Sequence, residues 1–223
     1  VLVEDADTLR YVVQHAFGPD LPYFIFGHSM GSFTLRVYLT RHGEGLAGAI
    51  ICGTGQKPPL LSLAGNALAN VMAKVRGSHA KSELIHSMAD GAFSKAVEGA
   101  STEFDWISAD KGNVQDYIAD DLNGFPFTLG GYASLTKLTL LAADLELAKR
   151  IPHTLPLLFI AGAKDPVGDN GAGVKAAADL VERAGVEDVE VILYDGMRHE
   201  VLNEADAQVV FEDVLAWLEA VLS

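Results

Sequence analysis

An α/β fold, with a parallel sheet and helices on its faces, is what this 223-residue chain predicts, and three observations carry it. Short apolar runs rich in branched and aromatic residues alternate with longer amphipathic stretches, the pattern of parallel strands joined by helical crossovers. One of those runs passes straight into "GHSMGS", residues 27–32, leaving no room for a relaxed loop before the next helix. Finally, a serine, an aspartate and a histidine follow the ends of three candidate strands, Tyr23–Phe26, 155–162 and 188–196, in that order.

Each element has its own justification. "VLVEDADTLRYVVQHAF" is an amphipathic helix with Leu9, Val12, Val13, Ala16 and Phe17 on one face. It starts without methionine and already mid-helix, so the chain reads as cut, with further strands and any signal peptide expected ahead of Val1. The turn signal "GPDLP" leads into the strand Tyr23–Phe26, where three of four residues are aromatic and Ile25 is β-branched. A helix then runs to about His42, with Leu35, Tyr38 and Leu39 at helical spacing. Ala47 to Cys52 reads as a second, buried strand, residues 155–162 as a third and residues 188–196 as a fourth. A helix from about Gly173 to Ala184 joins the last two. The final helix shows Val210, Val214, Trp217, Leu218 and Val221 on its apolar face.

The stretch from Gly53 to Pro152 is far longer than a crossover requires. Helices are expected over 61–75, 82–97, 113–122 and 131–150, which makes it a helical insertion above the sheet. The domain reading is therefore a core of residues 1–53 and 151–223, its N-terminal part missing, with a helical cap over 54–150. Phe104, Trp106, Tyr117, Phe125, Phe127 and Tyr132 fall within this insertion. They serve either as its own small core or as an apolar pocket above the serine.

Composition narrows the function. A net charge of −14 argues against binding to nucleic-acid phosphates or anionic membrane surfaces through a general field. No apolar run approaches the roughly 20 residues of a membrane span. Cys52 is the single cysteine, so no internal disulfide is possible; it lies in an apolar run and reads as core. A cytoplasmic location is the expectation.

The chemistry centres on Ser29. In G-x-S-x-G between a strand and a helix, Gly27 and Gly31 lack the Cβ atoms that would collide in so sharp a turn, and the serine is pushed out at the carboxyl edge of the sheet. A serine hydroxyl needs a base within hydrogen-bond reach, itself oriented by a third group. Of seven histidines, His199 follows the fourth strand and so lies at that edge, whereas His153 precedes a strand and lies at the other. His28, inside the turn, is too constrained to serve its neighbour and reads as a packing or substrate-binding residue. Asp165, just after the third strand and stiffened by Pro166, is preferred as the acid over Asp169, which sits among turn residues. The backbone N–H of Met30 is the first oxyanion donor, and Met30 also borders the substrate site; the second donor is expected from a loop before Val1.

These residues bring a family into view. "GHSMGS", "FDWISADKGNVQDYIADDLNGFPFT", "LFIAGAKDPVG" and "LYDGMRHEVLNE" together resemble the monoglyceride-lipase-like α/β-hydrolases, a group that includes lysophospholipases and serine-aminopeptidase-family hydrolases. The similarity runs over almost the whole chain. It implies an α/β-hydrolase fold, Ser29, Asp165 and His199 as a triad, and residues from about 54 to 150 as the cap. It also implies hydrolysis of a lipid-like or small acyl ester, such as a monoacylglycerol or lysophospholipid, through an acyl-enzyme, with no metal or organic cofactor. The family's first strands and its His-Gly oxyanion loop have no counterpart in these residues.

Three other readings compete. An aminopeptidase would need acidic groups near the pocket to hold a free amine, and the sequence does not place Glu83, Glu98 or Glu103 there. An epoxide- or haloalkane-type hydrolase would carry aspartate where this chain has Ser29. A non-catalytic small-molecule binding module would not need the complete serine, aspartate and histidine set.

Overall fold

The computed structural model describes the backbone of all 223 residues and every side chain but that of Asp90. Four strands, β1 (Phe24–His28), β2 (Gly48–Cys52), β3 (Leu157–Gly162) and β4 (Val189–Tyr194), form one parallel sheet in the order β1-β2-β3-β4. The observed β1 extends two residues past the expected Phe26. Gly27 and His28 pair with Ile51 and Cys52, so the ladder carries the chain right up to Ser29.

Side chains alternate across the sheet, as strand geometry requires. Ala49, Ile51, Leu157 and Phe159 join one cluster with Leu35, Leu39, Val174 and Val181 of the helices α2 (Met30–His42) and α8 (Ala172–Arg183). Ile50, Cys52, Leu158 and Ile160 join the other with Val210 and Trp217 of α9 (Ala207–Leu222). The two middle strands are buried on both faces, which is why their sequences are unbroken apolar runs. β1 pairs with β2 alone in this sheet, and Phe26 is 42% exposed.

Helix α1 (Leu2–Phe17) forms as expected, and the structure shows what its faces meet. The anticipated apolar face is largely in solvent, with Leu9, Val12 and Phe17 all exposed. The helix docks instead through Val3 and Ala6 and through Arg10, which donates to the carbonyl oxygens of His42 and Glu44 at 2.9 and 3.0 Å.

Between β2 and β3 the chain is helical: α3 (Pro59–Arg76), α4 (Glu83–Lys95), α5 (Lys111–Ala119), α6 (Leu129–Ala142) and α7 (Leu145–Ala148). The expected helix over 131–150 is two helices. The Asp144 carboxylate accepts from the N–H groups of Glu146 and Leu147, and this N-cap restarts the helix there. Ala69, Ile85, Leu129 and Tyr132 form a small core of their own in this region.

Arg36 ties this helical region to the helix that follows β1. Arg36 of α2 is buried, and its guanidinium donates to Gly55 O (3.0 Å), Gln56 Oε1 (2.7 Å) and Ala142 O (2.7 Å). It thus touches the chain both as it leaves β2 and as it nears β3. Burial pulls its pKa down to about 10, so the group is still a cation at neutral pH.

Candidate active site

Ser29 stands between β1 and α2 with φ 54° and ψ −121°, a conformation that costs a non-glycine residue about 1–3 kcal/mol. The surroundings hold it there. Its N–H donates to Cys52 O at 3.0 Å, and its carbonyl accepts from the N–H and the hydroxyl of Ser32 at 2.9 and 2.6 Å. The two flanking glycines differ in why they are needed. A Cβ on Gly27 would lie 2.6 Å from Gly31 O and 2.9 Å from the Leu35 Cβ, so α2 packs onto β1 only because that atom is missing. A Cβ on Gly31 would meet nothing within 4 Å, which corrects the expectation that both were sterically required.

Asp165 and His199 come together. Both are buried, and His199 Nδ1 lies 2.9 Å from Asp165 Oδ2. Beside a carboxylate that nitrogen carries the proton, which leaves a lone pair on Nε2. The other carboxylate oxygen of Asp165 accepts from the N–H of Val167 at 2.9 Å and is thereby oriented as well. Asp169, the alternative acid, is exposed in a left-handed turn with φ 51°.

The end of β2 brings this pair toward the serine. Gly53 N donates to Ile160 O, and a Cβ on Gly53 would lie 3.1 Å from His199 Cε1 and 3.2 Å from His28 Nε2. The histidine ring, the end of β1 and the end of β2 therefore meet at one point of the sheet edge. Among the described residues no hydrogen bond joins His199 Nε2 to Ser29 Oγ.

His28 lies against the base, its ring centroid 4.7 Å from that of His199. Its Nε2 is 3.1 Å from His199 O and, facing a carbonyl, carries a proton. Burial, reinforced by the neighbouring His199, holds its pKa below the ordinary histidine value. Met30 opens α2, and the N–H groups of a first helical turn have no partner within the helix.

The aromatics of the helical region fall into separate groups. Trp106 faces the site, 5.0 Å from the His199 ring, with Phe93 behind it at 5.1 Å. Tyr132 belongs to the separate small core with Phe127 against it, and Phe104 pairs with Tyr117. Glu83, Glu98 and Glu103 are exposed. Burial pushes the Cys52 thiol well above its usual range, in keeping with a packing role. Among the described residues no three His, Cys, Asp or Glu side chains converge in a metal-binding arrangement, and no helix is long and apolar enough to cross a membrane.

Sequence reasoning did not single out Arg36, Arg198 or Glu204. The last two lie in the histidine loop within the quoted stretch "LYDGMRHEVLNE", but their partners are about ninety residues away and carry no sequence signal.

Comparison with known proteins places the chain in a family. The family model described as serine aminopeptidase, S33, matches residues 1–206. A monoacylglycerol lipase of Mycolicibacterium smegmatis is 27% identical over 227 residues, covering 97% of this chain and 68% of that protein. The crystal structure of a highly thermostable carboxyl esterase from Bacillus coagulans, in complex with glycerol, superimposes with a TM-score of 0.91 at 32% identity. That match covers 99% of this chain and 71% of the esterase. A lipase solved in an open form gives 0.85 at the same identity, over 99% and 72% of the two chains.

Proposed function

We propose, from the premise that this chain belongs to the serine aminopeptidase (S33) family of α/β-hydrolases and is a carboxylic ester hydrolase, that Ser29, His199 and Asp165 are its catalytic triad. The observation that carries this reading is the buried His199–Asp165 hydrogen bond beside the strained turn at Ser29. In this mechanism Ser29 Oγ attacks the ester carbonyl carbon while His199 Nε2 takes its proton. Asp165, hydrogen-bonded to Nδ1–H, holds the ring in that tautomer and stabilises the imidazolium. The Met30 N–H at the start of α2 donates to the developing oxyanion. Collapse of the tetrahedral intermediate expels the alcohol, which receives the proton from Nε2, and leaves Ser29 acylated. Water, deprotonated by the same nitrogen, then releases the carboxylic acid. The contact between Nε2 and Ser29 Oγ tightens when substrate is bound, as catalytic hydrogen bonds commonly do.

The residues at 54–150 act as a cap, and Trp106 with Phe93 supplies an apolar wall for an acyl chain. The substrate class is an acyl ester of glycerol or of a comparable small alcohol, the class named for the Mycolicibacterium relative. The exposed positions of Glu83, Glu98 and Glu103 favour the ester over a free N-terminal amine.

The test is chemical. In the full-length protein a fluorophosphonate labels Ser29 stoichiometrically, and Ser29→Ala abolishes both labelling and turnover of p-nitrophenyl butyrate. His199→Ala and Asp165→Asn are each severe, and the double variant is little worse than the worse single, because groups acting as one unit are not additive. Turnover by Ser29→Ala within tenfold of wild type removes the serine from the mechanism.

A further inference from the structure

The histidine loop and the stretch around Trp106 hold each other from both sides. Glu204, buried at 7% exposure, accepts hydrogen bonds from Ser108 Oγ (2.8 Å), Ala109 N (2.9 Å), Asp110 N (3.1 Å) and Arg198 N (2.8 Å). Arg198 reaches the other way. Its guanidinium donates to the carbonyl oxygens of Asp105 and Ser108, at 2.5 and 3.0 Å. Between these contacts Glu200 N donates to Ile107 O at 2.8 Å.

The arrangement leaves the backbone at His199 little freedom. The N–H before it goes to Glu204, the N–H after it to Ile107 O, and its own carbonyl accepts from His28. Trp106 is treated alike, since the carbonyls on either side of it, those of Asp105 and Ile107, are both taken by the histidine loop. The two rings end 5.0 Å apart because their backbones are fastened together, one residue to each side.

We infer that Arg198 and Glu204 form a reciprocal clamp that fixes the catalytic base against the cap, with Glu204 a positioning residue for His199. This rests on the triad reading above and adds to it the source of the base's alignment. Glu204 touches no reacting atom. It acts through the peptide N–H of Arg198 on one side and those of Ala109 and Asp110 on the other. A carboxylate suits the task because it only accepts; the isosteric amide of glutamine would turn an N–H toward N–H donors. Misplacement of a catalytic group by about an ångström costs on the order of a hundredfold in rate, so such a change is visible in turnover.

The test compares Glu204→Gln and Arg198→Lys with wild type in the full-length protein. Three quantities are read: the rate constant of fluorophosphonate labelling at Ser29, kcat and KM for p-nitrophenyl butyrate, and the low-field proton resonance of His199 Nδ1–H. The expected result for Glu204→Gln is a fall in kcat and labelling rate of roughly ten- to a hundredfold. KM stays within about threefold and the low-field resonance is shifted or lost, while circular dichroism still reports a cooperative fold. Arg198→Lys keeps the charge, but its shorter side chain does not carry a nitrogen to the place where Arg198 Nη1 meets both carbonyls; it gives the same pattern more mildly and decides the matter alone if Glu204→Gln does not fold. Labelling and resonance unchanged from wild type in the variants that fold overturn the clamp while leaving the triad standing. A wild-type protein whose serine is not labelled at all overturns both.

Discussion

Ser29 shows how much local strain a single site can hold when its neighbours determine the geometry. Its φ of 54° persists because the peptide groups of Cys52 and Ser32 leave the backbone no alternative. That Asp165 and His199 would meet was legible in the sequence because each lies in a loop after a strand of one parallel sheet, at its carboxyl edge. What His28 does was not legible: the motif placed it beside the nucleophile, but only the fold turns its ring to the His199 carbonyl. Its titration has a consequence. The folded protein holds the ring below the ordinary value of 6.5, mainly by burial, so below that pH the unfolded chain binds more protons than the native one. The stability associated with His28 is fully present above about pH 6.5 and declines as the pH falls toward the folded value. His28→Gln should therefore lessen the slope of unfolding free energy against pH in this window, measured by urea melts at a series of pH values. An unchanged slope assigns the acid sensitivity to another group.

At the scale of elements, the helices between β2 and β3 were found by length and period, and their bounds lie close to expectation except where Asp144 restarts one of them. That N-cap was beyond sequence reasoning because the apolar period continues across it, and the deciding contact is one carboxylate on two N–H groups. The division of the aromatics was equally hidden. A tryptophan against the His199 ring and a tyrosine filling a core have the same hydrophobic signature, and only the contacts of Trp106 and Tyr132 separate them. If Trp106 and Phe93 line the acyl site, kcat/KM for p-nitrophenyl esters should climb with chain length. Burial worth about 0.8 kcal/mol per methylene implies roughly a fourfold rise for each until the wall is covered. A flat response from acetyl to decanoyl would show that the acyl chain lies elsewhere.

Over the whole molecule, the parallel sheet and its two-faced core followed from alternation and apolar runs, because a parallel sheet buried on both sides admits few other sequences. What the apolar face of α1 meets was not legible: Leu9, Val12 and Phe17 show a helical period, but a period says which residues share a face and not what that face meets. Arg36 escaped notice too, since an arginine in an amphipathic helix ordinarily reads as solvated. Its position makes it a mechanical part. The chain leaving the sheet at Gly55 and Gln56 and the chain returning at Ala142 are fastened to one guanidinium. Two anchorages that share a pin are geared together, so loosening one loosens the other. Arg36→Met should release the gearing. Limited proteolysis would then nick residues 53–58 and 143–152 several times faster than in wild type, and together, while cleavage confined to one junction would mean that each leg has its own fastening. The two ends of the helical stretch are thus tied together from beneath, by a charge that never meets solvent.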